Sequence, residues 1–397
     1  MQLIDDIPVW GDLLETALQQ IRTCRDEKTA GAALMADHHQ GYSMPIGGVI
    51  AYPSHVSPSG VGYDIACGNK AVLLDVAADD LQANLSLIMD EIYSAISFGV
   101  GRKNQTQVEH ILFDDDPAWD IEIVAGLRQL AQSQLGTVGS GNHFVDLLTD
   151  EQNRIWVGVH FGSRGFGHKI ATHYIQAGGG KDGIFAEPVT LSVNEQLGQE
   201  YLAAMQLAGR YAYAGRDWVC QKVADIIGAN IVDEVHNHHN FAWREQHENG
   251  DFWVVRKGAT PAWPGQRGFV GGTMGDLSVI VAGKDVTDES RLAFQSTIHG
   301  AGRIMSRTKA AGKFRWKRID GKRRRVKKAD GVISRGMMLE RLGEVELRGA
   351  GTDESPQCYK QIEDVLAEHQ NTIDILHSLK PLGVAMAGVD EFEPYKD

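Results

Sequence analysis

Five short strings rich in histidine, cysteine or aspartate, most of them bounded by glycine, constrain this chain more than any other feature. They are Gly60-Val-Gly-Tyr-Asp64-Ile-Ala-Cys67-Gly68, Gly139-Ser-Gly-Asn142-His143-Phe144, His160-Phe-Gly-Ser-Arg164-Gly165, His236-Asn-His238-His239-Asn-Phe241 and His299-Gly-Ala-Gly-Arg303-Ile-Met-Ser-Arg307. Glycine removes the Cβ that would hold a backbone away from an ion or a phosphate. Apolar, strand-like runs at 71–76, 155–159, 252–257 and 277–282 lie between or beside these strings. Loops at strand ends are where a rigid scaffold carries function. The pattern therefore predicts an α+β fold, one domain over 1–397, whose irregular loops converge on one centre.

The last string has the most explicit chemistry. Its glycines and two arginines suit a phosphate, and arginine is the cation best shaped to hold one. A histidine can attack phosphorus and carry the group as a phosphoramidate, so His299 is expected to be a nucleophile, with Ala301, Gly302 and Arg303 beside the phosphates. Asp64 and Cys67 form a ligand pair across a tight turn, and His143 and His160 stand at loop-to-strand boundaries. Of His236, His238 and His239, the first two share one face of a strand and the third faces the other way, so only a subset can meet one ion. A mixed carboxylate, thiolate and imidazole set leaves manganese, zinc and iron open. Arg164, Arg256, Lys257, Arg303 and Arg307 are expected to ring the site, an arrangement suited to phosphoryl or nucleotidyl transfer.

Composition narrows the class. The net charge of −13 excludes a general nucleic-acid binder. Ten of the sixteen residues from Lys313 to Lys328 are basic, however, which leaves about −22 on the rest of the chain. That stretch is expected to be either a solvated hairpin or an arm gripping RNA through Lys322, Arg323 and Arg324, with Phe314 and Trp316 free to stack on bases. Four dispersed cysteines form no disulfide framework, and no run approaches ~18 apolar residues, so a cytoplasmic protein without membrane contact is expected. Helices are predicted at 10–24, 79–93, 119–134, 191–227 and 358–379, and a last strand at 382–386.

The five strings, together with Arg256-Lys-Gly-Ala259 and Asp353-Glu-Ser-Pro-Gln-Cys-Tyr359-Lys360, resemble the RtcB-type RNA-splicing ligases in composition and order. The resemblance runs from about Met35 to Gly388. It implies a manganese- and GTP-dependent ligase sealing RNA that ends in a 2′,3′-cyclic phosphate or 3′-phosphate to RNA that begins with a 5′-hydroxyl. By the same resemblance Asp64, Cys67, His143, His160 and His239 hold Mn²⁺, Asn142 meets the nucleotide phosphates, Tyr359 packs against the nucleotide, and His299 is guanylylated. An archease-like activator is a further implied partner.

Three positions depart from the family pattern: Asp146 for a glutamate, Thr273 for a serine, and Ala387 for a lysine, followed by a tail at 389–397. All three are expected around the base and ribose pocket, which puts the choice of nucleotide in doubt and leaves the ligands and nucleophile intact. Two other classes compete. One is a metal-dependent phosphatase or cyclic phosphodiesterase, which needs no nucleotidyl-histidine. The other is a ligase-derived nucleotide or RNA sensor, which needs no nucleophile.

Overall fold

The computed structural model describes all residues except Gln105, Asp320, Gly321, Asp390 and 392–397, and excludes the side chains of Trp316, Ile319 and 322–325. The fold is α+β. Two large sheets meet at one residue. An eight-stranded sheet has the order Ile231–His238, Gly68–Ala77, Arg154–Phe161, Phe144–Thr149, Ile373–Met386, Ser278–Gly283, Arg267–Val270, with Glu346–Arg348 added parallel to Ile373–Met386. A six-stranded sheet runs Gln2–Ile4, Ile7–Val9, Gly31–His39, Ile46–Tyr52, Gly250–Lys257, Asn240–His247. His239 is the single residue between strand Ile231–His238 of the first sheet and strand Asn240–His247 of the second.

The larger sheet curls until its edges touch. Asn237 Oδ1 accepts from Phe269 N (3.0 Å), Asn69 Nδ2 donates to Phe269 O (2.7 Å), and Arg267 pairs with Asp233. Alternation sorts the side chains. Trp156, Leu148, Phe269, Ile280 and Leu379 fill the concave face. Val157, Val159, Val145 and Leu147 face outward, against helices Leu85–Ala95 and Gln196–Ile227. Helix Gln196–Ile227 runs unbroken for 32 residues and stops at Gly228, whose left-handed φ of +76° suits a helix C-terminus. Among the described residues no helix is long and apolar enough to cross a membrane.

Several predicted elements change. The helix expected at 10–24 begins at Glu15, because Trp10 continues the sheet by donating its amide to Leu34 O (3.0 Å). The helix at 79–93 divides into Ala78–Gln82 and Leu85–Ala95, and that at 119–134 into three short turns. The largest correction is 358–379. Only Ile362–Ala367 is α-helical, and the chain then enters Ile373–Met386, which pairs with both Ser278–Gly283 and Phe144–Thr149. Strand partners on both sides outweigh the amphipathic helical period.

Candidate functional site

Antiparallel pairing brings one end of the larger sheet together. Gly68 and Phe144 begin their strands there, and Phe161 and His238 end theirs. Cys67, Asn142, His143, His160 and His239 lie at or just beyond those ends, so residues far apart in sequence become neighbours. Asp64 and Cys67 share a turn in which Cys67 N donates to Asp64 O (3.0 Å). A Cβ on Gly162 would lie 2.2 Å from Asp64 Oδ1, so glycine in His160-Phe-Gly162 is what lets the two loops close.

Donor atoms of Cys67, His143 and His160 all lie within 4.8 Å of one another. Cys67 Sγ is 3.6 Å from Nε2 of both rings, and Asp64 Oδ2 is 3.0 Å from His143 Nε2. The remote ring nitrogens are committed elsewhere. His143 Nδ1 donates to Val138 O (2.9 Å), and His160 Nδ1 donates to Asn69 Oδ1 (2.6 Å). Each Nε2 lone pair is thereby aimed at the cluster, as metal-binding imidazoles are usually arranged. A carboxylate oxygen 3.0 Å from such a nitrogen needs positive charge between them. The residues thus fit a divalent metal with mixed N, O and S ligands. His239 adds a third imidazole, its ring 5.1 Å from that of His160. Burial lowers the pKa of both rings well below the usual histidine value, so both are neutral and carry a lone pair.

His236 and His238 point away, to the outer face. The buried Arg216 donates from Nε to His236 Nε2 (2.8 Å) and from Nη2 to His238 Nδ1 (3.0 Å). Its Nη1 donates to Ala66 O (3.1 Å) and Phe161 O (2.5 Å), the carbonyls next to Cys67 and His160. One buried guanidinium therefore braces two loops that carry ligand residues.

His299 lies across the cluster, its ring 4.8 Å from that of His239. Asp37 Oδ2 accepts from His299 Nδ1 (2.6 Å), His299 N (2.9 Å) and Gly300 N (3.2 Å). With Nδ1 donating, Nε2 is the atom left for attack. Burial opposes ionisation of Asp37, but the His299 ring and amide outweigh it and hold the carboxyl below the usual range. Gly302 has φ +79°, and a Cβ there would lie 2.3 Å from Asp37 O, so the glycine lets the loop wrap this carboxylate.

Next to His299 is a cavity of about 190 Å³ whose lining includes Asn142, Asp146, Thr273, Ala301, Gly302, Arg303 and Tyr359. Arg303 donates to Tyr359 Oη (2.7 Å), Glu354 (3.1 Å) and Asp353 O (2.8 Å), and stacks over the tyrosine ring at 4.8 Å. Thr273 Oγ1 donates to Asp276 (2.6 Å). Among the described residues the buried Asp146 Oδ1 has no hydrogen-bond partner, and burial raises that carboxyl's pKa well above the usual range.

Two of the cations expected to ring the site and meet RNA need correction. Arg256 is wholly buried and is held by Glu245, Ser296 and Phe294 O. Lys257 is buried with Nζ donating to Tyr42 O (2.6 Å), and burial lowers its pKa to about 8. Arg164, by contrast, is half-buried beside the cluster, within 3.4 Å of Thr137 Oγ1 and His143 Nδ1. Arg256 and Lys257 are internal braces. The side chains of Lys322, Arg323 and Arg324 lie outside the described residues. Ala387 packs in the outer cluster, next to Met386, which lines the cavity.

Sequence reasoning missed Asp37, Asn69 and Arg216. Asp37 and Asn69 had a signal, since each adjoins a histidine or cysteine string. Arg216 had none, standing alone within a long helix.

Fold and site together define a class: an α+β protein with a thiolate, imidazole and carboxylate metal-binding cluster beside a carboxylate-oriented histidine. The family model described as "tRNA-splicing ligase RtcB" matches residues 20–122 and 120–387. The RNA-splicing ligase RtcB of Escherichia coli K12 is 30% identical over 380 residues, covering 88% of each chain. The tRNA-splicing ligase RtcB of Thermococcus kodakarensis is 29% identical over 434 residues, 89% of this chain and 86% of its own. An RNA-splicing ligase RtcB homolog from Entamoeba dispar is 28% identical, across 88% of this chain and 77% of its own. The chain belongs to the RtcB family, as a divergent member.

Proposed function

We propose that this protein is an RNA ligase that uses GTP and Mn²⁺ to join RNA ending in a 3′-phosphate or 2′,3′-cyclic phosphate to RNA beginning with a 5′-hydroxyl. The observation that carries the reading is His299: Asp37 fixes its Nδ1, leaving Nε2 to attack, beside the three-donor cluster of Cys67, His143 and His160, with Asp64 against it, and a cavity bordered by Arg303 and Arg307. Family membership and the names of the relatives support the RNA-ligase class.

In this mechanism Nε2 of His299 attacks the α-phosphorus. The new P–N bond replaces the bond to the β-phosphate, and pyrophosphate leaves. An oxygen of the RNA 3′-phosphate then takes the nucleotidyl group as the P–N bond breaks, and a phosphoanhydride forms. The 5′-hydroxyl attacks the RNA phosphorus, a phosphodiester forms, and GMP departs. Asp37 stabilises the ring's positive charge in the first two steps, as a carboxylate does for a catalytic imidazole. Arg303 and Arg307 neutralise phosphate charge. Asp64, Cys67, His143, His160 and His239 would hold the metal, which when bound supplies charge neutralisation and Lewis acidity next to His299. A cyclic end is opened by water before transfer.

Asn142 and Tyr359 are assigned to the nucleotide. Asp146 and Thr273 face the same cavity, while Ala387 contributes nothing to it, so the choice of base rests on fewer polar groups than the family pattern provides. An archease-like activator remains part of this reading as a partner in turnover.

The test is incubation with Mn²⁺ and α-³²P-labelled GTP or ATP, followed by a search for an acid-labile, alkali-stable protein adduct. A label absent from His299→Ala supports nucleotidyl transfer, and GTP-only labelling fixes the base. No label from either nucleotide, in protein that binds Mn²⁺, overturns the ligase in favour of the phosphodiesterase.

A further inference from the structure

A patch of rings and cations adjoins the metal-binding cluster at Asp64. Tyr63 directly precedes Asp64, and its ring stacks on that of His168 at 5.2 Å, with 27° between the planes. Tyr42 meets the Tyr63 ring edge-on at 6.4 Å. Tyr42 is 38% exposed and Phe185 60% exposed, an unusual cost for large aromatic side chains. Lys169 and Lys181 stand exposed next to His168 and Asp182 in the chain.

Hydrogen bonds fix the loops that carry these rings. Tyr63 Oη donates to Asp182 Oδ1 (3.0 Å), and Ser43 N donates to Ile184 O (3.0 Å), so the segment bearing Phe185 is fastened to the loops of both tyrosines. The buried Gln20 donates to Gly41 O (2.6 Å) and Ile184 O (2.7 Å), joining two of those loops from beneath. A surface ordered in advance loses little freedom when a ligand lands on it. Aromatic faces interleaved with cations are what unpaired RNA stacks and slides along, whatever its sequence.

The proposed chemistry decides which RNA strand this is. In the joining step the attacking and leaving oxygens lie roughly in line across the phosphorus. GMP leaves toward the cavity beside His299, which reaches the cluster at His160 and Asn142. Among the described residues neither Asp64 nor Tyr63 is part of that cavity's wall. The attacking hydroxyl must come from the side away from the cavity, and the patch reaches the cluster there, through Tyr63 and Asp64. We propose that Tyr42, Tyr63, His168 and Phe185 form a stacking platform for the first unpaired bases of the strand that begins with the 5′-hydroxyl, with Lys169 and Lys181 on its phosphates. The inference rests on the RNA-ligase reading and separates the two RNA strands within that site.

The deciding variant is Tyr42→Ala with Phe185→Ala, which removes the two exposed rings and leaves every cluster residue in place. Two steps are read separately: capping of a 3′-phosphate strand supplied with GTP alone, and joining of the capped strand to a 5′-hydroxyl strand. The variant should raise the KM for the 5′-hydroxyl strand about five- to hundredfold, the loss expected when stacking of a base or two is removed. Capping and labelling of His299 should not change. A strand made abasic at its first positions should be as weak for the parent as the intact strand is for the variant, and should weaken no further on the variant. Tyr42→Trp with Phe185→Trp keeps the faces and should restore the parent's KM.

An unchanged KM would overturn the proposal, as would an equal loss in capping, a further loss when the abasic strand meets the variant, or failure of the tryptophan pair to restore KM. Fluorescence anisotropy of the 5′-hydroxyl strand with Mn²⁺ tells the two readings apart. If the parent takes no label at His299 but its binding shows the same dependence on rings and bases, the platform stands and the ligase reading fails.

Discussion

The two sides of the active-site cleft are built on different rules. On the metal-binding side, His143 and His160 each have the outer nitrogen tied down, by Val138 O and Asn69, and Arg216 braces the neighbouring carbonyls from behind. On the side proposed for the nucleotide, Arg303, Tyr359 and Glu354 are tied to one another, while Asp146 presents a buried oxygen with no partner among the described residues. Under the proposed function, the contrast separates a reacting geometry held by the protein's own hydrogen bonds from a base pocket left for the ligand to complete. Preorganised donors need no rearrangement during reaction, and an unpaired buried polar group is a standing penalty that a ligand can remove.

The largest break in this contrast should come from the nucleophile's support. His299→Ala should abolish nucleotide labelling. Asp37→Asn should lower its rate by about 10²–10⁴-fold while metal binding survives, because the wrong tautomer is then favoured. Rapid-quench labelling reads the rate, and a loss under tenfold would make Asp37 a packing group only.

Arg216→Met tests the bracing. It leaves two carbonyls and two imidazoles without their donor, so stability should fall by about 3 kcal/mol, with weaker Mn²⁺ affinity. Denaturant titration and metal titration check the two effects, and unchanged metal affinity would separate the arginine from the site. Asn69→Ala should lower metal affinity by about 10–100-fold through His160, with stability falling by about 1–3 kcal/mol because Phe269 O loses its donor. Isothermal titration with Mn²⁺ decides it.

The smallest effect is expected on the nucleotide side. The raised pKa of Asp146 means that its folded form favours the proton. Its favourable contribution is complete below the ordinary carboxylate pKa and is lost as pH rises through the folded value. Asp146→Asn removes that dependence, so the variant's stability advantage should grow from pH 4 to pH 8, reaching about 1–2 kcal/mol. Melting curves across that range would show a constant difference if Asp146 were paired in solution. Bound nucleotide should narrow the gap if its base supplies the missing partner.

The membership of the candidate site was legible in the sequence because glycine-bounded strings carry it locally: Asp64 with Cys67, Asn142 with His143, and His299 with its arginines lie within a few residues of each other. Strand alternation also showed that His236 and His238 differ from His239, a distinction that depends only on the two-residue period. What the sequence could not settle was direction and burial. Arg256 and Lys257 read as surface cations because nothing nearby in the chain reveals Glu245 or the Tyr42 carbonyl that holds each one inside. The stretch at 358–379 read as helix because its partners in the sheet lie about a hundred and more than two hundred residues away. The sequence by itself determined which residue types are candidates for metal and phosphate, since that follows from side-chain chemistry and short-range spacing. Only the tertiary structure decided that Asp37 holds His299, that Arg216 braces the metal-binding loops and that Asp146 stands unpaired, because each depends on long-range contacts through the packed interior.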